Sequence, residues 1–353
     1  AEFTAAEQDL MIRTATRYFL VLGAMDNLEF AQSEKDAIAR QLDQTRQRFE
    51  VGLIAITDVH EAQARYDLAV SEVIKAETLL YDTYEALEEL TGTMHKDLQL
   101  LVSELPLIGP DPDSPEQWVQ TALQQNYRLI AAKAAAKTAH QEIERRRSGR
   151  YPTLDLTGGQ SYRDLSFGGE FEQKRYDSSI GLRLNVPLYQ GGLVNSQTRE
   201  SRALYESAQA QVGGQQRATT RRMRDTYRRV NATIALVKAL SQALISTRAA
   251  LEAAEAGYEV GTRTIVDVLN AQREVFRAKR DFARARYDYL LSTLRMKQAA
   301  GILSGTDVKL VSSYLRPTTK QPDDDIADEK EQVHEEVSRT MGQRYENSVI
   351  VSY

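Results

Sequence analysis

Cysteine is absent from the 353 residues, which excludes disulfides, thiolate zinc sites and cysteine nucleophiles. Proline (8), glycine (19) and tryptophan (1) are scarce, a composition that suits long uninterrupted helices better than an all-β sandwich. There is no surplus of positive charge: the formal net charge is −5, which argues against a dedicated nucleic-acid binder. No run reaches the ~18 to 20 continuous apolar residues of a membrane helix. The N-terminal Ala1-Glu2-Phe3-Thr4 lacks an initiator methionine and any signal-peptide pattern. His60, His95, His140 and His334 lie far apart, with no metal-ligand spacing. The glycine pairs at 168–169, 191–192 and 213–214 lack the lysine and Ser/Thr of a phosphate loop. No nucleophile, base and orienting group can be assembled, so neither an enzyme nor a cofactor or metal is expected.

What is present is an internal repeat. Residues 48–92 superpose on residues 257–301 at a constant shift of 209. Glu50-Val51-Gly52 falls on Glu259-Val260-Gly261, Ile56, Asp58 and Val59 on Ile265, Asp267 and Val268, Ala62-Gln63 on Ala271-Gln272, and Gly92 on Gly301. The chain therefore holds two copies of one supersecondary unit. In each, a long charged helix (about 5–49 and 193–258) turns at one glycine, Gly52 or Gly261, and returns as a second helix. Asp58 or Asp267 near the start of the return helix complements the positive end of its dipole. Apolar residues at Ile56, Val59, Tyr66, Val70, Val73, Leu80, Tyr84 and Leu87, and at Ile265, Val268, Phe276, Phe282, Leu290 and Leu294, step by threes and fours. That spacing predicts coiled-coil pairing within each αα-hairpin.

A different region separates the copies. The proline-rich stretch 105–115 reads as a linker, and Ser114-Pro115-Glu116-Gln117 starts a helix that runs to about Arg147. From 179 to 188, Ile180, Leu182, Leu184, Val186 and Leu188 alternate with Ser179, Gly181, Arg183, Asn185 and Pro187. This period of two predicts a strand with one buried and one wet face. Its length of about ten residues fits a tilted membrane strand, while a soluble hairpin packed on the helices fits the pattern equally well. Residues 153–157 alternate more weakly, and Tyr162, Phe167, Phe171 and Tyr176 flank Gly168-Gly169 where an aromatic girdle would sit. Two strands cannot span lipid alone, and the repeat predicts a matching helix and hairpin upstream of Ala1. The polar stretch from Asp323 to the end is expected to be mostly disordered. Arg145-Arg146-Arg147 and the arginines between 221 and 229 read as helix-end cations and a solvated helix face, not as a nucleic-acid site.

These residues resemble the TolC family of bacterial outer-membrane efflux and secretion channels over about 10–312. The match is carried by Val51-Gly52-Leu53-Ile54-Ala55-Ile56-Thr57-Asp58-Val59, by Gly257-Tyr258-Glu259-Val260-Gly261-Thr262-Arg263-Thr264-Ile265-Val266-Asp267-Val268-Leu269, and by Pro187-Leu188-Tyr189-Gln190-Gly191-Gly192. The resemblance implies a mainly α chain with a small β part. Its long coiled-coil α-hairpins would build a trimeric α-barrel, and its β-hairpin would contribute to a shared transmembrane β-barrel. It divides the chain into a first helical hairpin (1–92), a linker with equatorial helices (93–150), a transmembrane β-hairpin (151–192), a second helical hairpin (193–301), and an equatorial segment with a C-terminal tail (302–353).

By the same resemblance the protein is expected in the bacterial outer membrane, with a periplasmic helical tunnel. It would be a passive exit duct of a tripartite multidrug efflux or type I secretion system, partnered by outer-membrane lipid, a periplasmic adaptor and an inner-membrane transporter. The hairpin tips would close the periplasmic entrance. Tyr258 would hydrogen-bond Asp58 within a subunit, Arg263 would reach Thr57 and Asp58 of the next, and Gln41 and Glu255 would form a further inter-subunit pair. Asp267 would ring the pore and favour cations. Asn270 stands where the family's best-known members carry a second aspartate, so weaker cation attraction is implied. Val51, Gly52 and Leu53, with Val260, Gly261 and Thr262, match the tips on which adaptors dock. The rivals are a periplasmic adaptor, which usually has one hairpin flanked by lipoyl-like and barrel domains, and a soluble coiled-coil scaffold.

Overall fold

The computed structural model describes residues 1–95, 97–167 and 171–316. Gly168-Gly169 and the stretch from Asp323 onward lie outside them. Helix α1 (Glu2–Glu50) turns into α2 (Ile56–Thr91), and α5 (Leu193–Glu259) turns into α6 (Ile265–Ala300). At 1.5 Å per residue the 67 residues of α5 run about 100 Å. Both return helices end on the glycine the repeat predicts, left-handed at Gly92 (φ 76°) and Gly301 (φ 84°).

The two copies share geometry but not burial. α6 lies between α1 and α5, so Ile265, Val268, Phe276, Leu290 and Leu294 are all buried. α2 packs mainly on α1 and buries little beyond alanines, Val73 and Leu87. Ile56, expected in its seam, is 45% exposed because the first turn of α2 projects at the hairpin tip. One 18-residue window of α5 is apolar enough for a membrane span by length and composition, yet only 6% of it is buried in the single chain. That apolar surface is left over after α5 has packed on α6.

The main core sits at mid-height, where Val21 and Leu22 of α1, Met223 and Val230 of α5 and Leu294 and Ala300 of α6 meet α3 (Pro115–Gln125). Here the expected single helix of 116–147 is broken. Ser114 caps its start and Pro115 takes the first position as predicted, but the helix stops at Gln125 and restarts as α4 (Tyr127–Arg147). Asn126 causes the break: its side chain accepts from the Leu129 N–H at 3.1 Å and donates to the Ala299 carbonyl at 3.0 Å. Gly301 lies so close behind that a Cβ there would run into the Gln125 carbonyl. Beside this core, β1 (Leu100–Leu101) pairs antiparallel with β4 (Leu315–Arg316), and α7 (Gly305–Ser312) links α6 to β4.

The alternating segments form one antiparallel hairpin, β2 (Thr153–Phe167) with β3 (Phe171–Asn185). Its strands have 15 residues each, longer than the ten expected, and β3 ends before Val186, Pro187 and Leu188. The register puts Leu154 opposite Leu184, Leu156 opposite Leu182, and Tyr162 opposite Tyr176. One face is thus apolar, and the other carries Asp155 opposite Arg183 and Arg163 opposite Arg175. Nothing among the described residues covers the apolar face: Leu156 is 73% exposed, Leu182 72% and Ile180 89%. A soluble hairpin packed on helices would bury those side chains, so that reading is set aside. Tyr151 at the helical end and Tyr162 further along are eleven residues apart. At ~3.4 Å per residue and a tilt of ~40°, that is a depth of about 28 Å, close to the apolar band of an outer-membrane barrel.

Candidate functional site

The chain reverses at both tips by the same backbone device. Val51 and Val260 close their helices at φ −90°, and Gly52 and Gly261 follow with φ 78° and 79°. A side chain resists that left-handed conformation, although a Cβ would meet nothing within 4 Å at either glycine. The Leu53 N–H returns to the Arg48 carbonyl (2.9 Å), and the Thr262 N–H to the Gly257 carbonyl (2.8 Å). Val51, Leu53 and Val260 stand out in solvent, each at least 70% exposed.

The turns leave differently. In the second tip Thr264 caps α6: its hydroxyl accepts from the Asp267 N–H, and the Asp267 carboxylate accepts from the Thr264 N–H at 2.9 Å. These Thr264 bonds, with a smaller contribution from Arg263, hold the Asp267 carboxyl below its ordinary range. In the first tip Ala55 occupies the cap and offers no side-chain bond. Asp58 sits half-buried in the first turn of α2, and Thr57 is exposed.

The second difference lies one turn before the glycines, where Gly257 matches Arg48 under the 209-residue shift. A Cβ at Gly257 would fall 2.6 Å from Cγ of Arg263, so this glycine makes room for the arginine to fold back. Arg48 instead reaches across to the other tip, its guanidinium 4.7 Å from the ring centroid of Tyr258. No motif marks Arg48, since its position lies just before the Glu-Val-Gly signature. The superposed pair of an arginine and a glycine was the available signal.

Tyr258 Oη is buried and has no hydrogen-bond partner among the described residues. The expected bond to Asp58 is therefore not made, and Arg48 holds the ring from its face instead. Gln41 Nε2 and Gln272 Oε1 are likewise buried without a partner. Gln41, Arg48, Glu255, Tyr258 and Gln272 line one cavity of about 300 Å³. Gln41 and Glu255, expected across a subunit boundary, thus share a cavity of one chain. Arg263 is exposed, and its nearest carboxylate is Asp267 at 4.0 Å, one helical turn along its own tip. Among the described residues it makes no ion pair with Asp58 of the same chain. Asn270 Oδ1 accepts from Arg65 (3.4 Å) and Arg273 (3.3 Å), so cations rather than a second carboxylate ring surround that position.

Higher up, polar clasps tie the hairpins together. Tyr287 Oη donates to Asp26 at 2.6 Å, and Arg280 pairs with Glu34 at 3.0 Å, both between α6 and α1. Burial pushes the Asp26 carboxyl and the Tyr287 hydroxyl up from their ordinary values.

A family model described as outer membrane efflux protein matches residues 1–93 and 118–302. The chain is 42% identical over 327 residues to the outer membrane protein TolC of Vibrio cholerae, covering 91% of this chain and 74% of that one. It is 28% identical over 313 residues to the alkaline protease secretion protein AprF of Pseudomonas aeruginosa, covering 88% and 65%. The crystal structure of the Campylobacter jejuni CmeC outer membrane channel superposes with a TM-score of 0.69 at 16% identity, covering 89% of this chain and 67% of that one. The chain thus spans about two thirds to three quarters of the length of the relatives it matches.

Proposed function

This chain belongs to the outer membrane efflux protein family, and from that premise we propose that it is one subunit of a homotrimeric outer-membrane exit duct. The duct serves a tripartite efflux pump or a type I secretion system and is gated at its periplasmic entrance. One observation carries the reading. α5 alone joins an uncovered amphipathic β-hairpin to a pair of clasped helical tips about 100 Å away. The hairpin needs lipid on its apolar face and further strands on its free edges. The tips need neither, and they present apolar Val51, Leu53 and Val260 to a periplasmic adaptor. An inner-membrane transporter supplies the energy.

The gate is built from Thr57, Asp58, Tyr258, Arg263, Gln41 and Glu255, with Arg48 added. Water-exposed charge pairs are worth only ~0.2 to 1 kcal/mol each, so a ring of them closes an entrance and still yields to a docking partner. Asp267 faces the conduit as a weak acidic ring, and Asn270 adds no charge to it. Single-channel recording of the trimer in planar bilayers tests the gate. Arg48→Ala and Arg263→Ala should both raise conductance. Tyr258→Phe, which keeps the ring under Arg48, isolates the hydroxyl. Unchanged conductance in both arginine variants would remove the gate assignment.

A further inference from the structure

Residues 217–229 of α5 carry six arginines and one acid, Asp225. All six are exposed. Arg217, Arg221, Arg224 and Arg228 recur at intervals of four, three and four, so they share one helix face and line a groove beside Leu123 of α3. Asp225 is taken by Arg228. The same run borders a cleft of about 340 Å³ that also holds Arg128, Arg222 and Arg229. Arg128 finds Asp9 at 3.7 Å. Although its side chain is exposed, Arg222 is held below its ordinary value by partial desolvation and by the like charges of Arg128 and Arg295, with Asp9 pulling the other way. Thr219, 3% exposed, lines this cleft, and its hydroxyl has no hydrogen-bond partner among the described residues. A basic surface whose nearby acids, Asp225 and Asp9, are already paired and which keeps a spare buried donor is built to take an anion.

We propose that residues 323–336 of this same chain dock on the arginine face of α5. That segment holds eight acids (Asp323, Asp324, Asp325, Asp328, Glu329, Glu331, Glu335 and Glu336) against one Lys330. Charge complementarity is matched by reach. Gln8, which lines the cleft, donates to the carbonyl of Leu303 at 2.8 Å, so α7 starts beside it. From Leu303 to Arg316, eight helical and five extended residues span at most about 30 Å. The chain from Arg316 to Asp323 is long enough to reach at most about 24 Å further. Tethering holds the acids at an effective concentration on the order of mM, which favours them over a free polyanion.

The absence of cysteine makes the test clean. Val333→Cys in the full chain carries a single nitroxide label. At low salt the label should be immobilised. It should be freed near 0.5 M salt, where screening shortens to about 4 Å. It should also be freed at low salt by Arg221→Glu with Arg224→Glu. A label that moves freely under every condition, or one that stays immobile in the arginine variant, overturns the proposal. A second variant leaves the helices untouched: Asp323→Asn, Asp324→Asn, Asp325→Asn, Asp328→Asn, Glu329→Gln and Glu331→Gln. Polyaspartate should bind this variant about tenfold more tightly than the intact chain, because the docked segment no longer competes. Equal binding to both would show that the arginines serve an external polyanion instead.

Discussion

The two hairpin tips are the same turn closed by different side chains. Backbone angles agree within a degree at Gly52 and Gly261, and the returning N–H bonds land on matched carbonyls. One tip is then locked from within by Thr264 and Asp267, with Arg263 folded over Gly257. The other has no side-chain cap and reaches outward through Arg48 to Tyr258. A repeat thus conserves the geometry that the chain needs to reverse, while its polar contacts divide into a rigid half and a grasping half. In the gate proposed above, only the outward contact would have to break when the hairpins part.

Replacing the shared element should cost most. Gly52→Val and Gly261→Val each force a branched side chain into the left-handed region, so the local opening free energy should fall by about 1–2 kcal/mol at either tip. Hydrogen–deuterium exchange measures it, and a clear inequality between the tips would break the claim that their backbones are equivalent. Loss of the cap comes next. Thr264→Ala should weaken the first turn of α6 by about 1 kcal/mol, while Ala55→Thr should strengthen the first turn of α2 by a similar amount. Opposite shifts in exchange protection would sharpen the contrast, and two null results would erase it.

The outward contact is smaller. A double-mutant cycle of Arg48→Ala with Tyr258→Leu should give a coupling of about 0.5–1 kcal/mol, since the cation lies over a partly exposed ring. Smallest is the pH effect at Asp267. Its carboxyl is held below the ordinary value of 3.8 in the folded chain, so its support of α6 is present above that value. That support should vanish as pH falls through the lowered value. An NMR titration of Asp267 in the intact chain and in Thr264→Ala checks the cause, because the variant should titrate closer to the ordinary value.

Much of the architecture was legible from local pattern. The repeat located both turns and both terminal glycines, the period of two found β2 and β3, and Ser114-Pro115 marked the start of α3. The site was legible only in part. Thr264 and Asp267 are neighbours in sequence, so their bond follows from a helix start. Arg48 and Tyr258 are separated by 210 positions, and no local rule links them. Asn126 looked like an ordinary polar residue in a helix because its second partner, the Ala299 carbonyl, arrives from the far end of α6.

Sequence alone settled where the helices of the two long hairpins begin, reverse and stop, because caps, glycines and periodicity act within a few residues and carry their physics with them. Tertiary structure decided which copy of the repeat is enclosed and which lies outside. It also decided that Arg48 meets a ring rather than solvent, and that Tyr258 Oη finds no partner among the described residues. Those outcomes depend on the order in which long rods pack side by side, and identical turns are compatible with several orders.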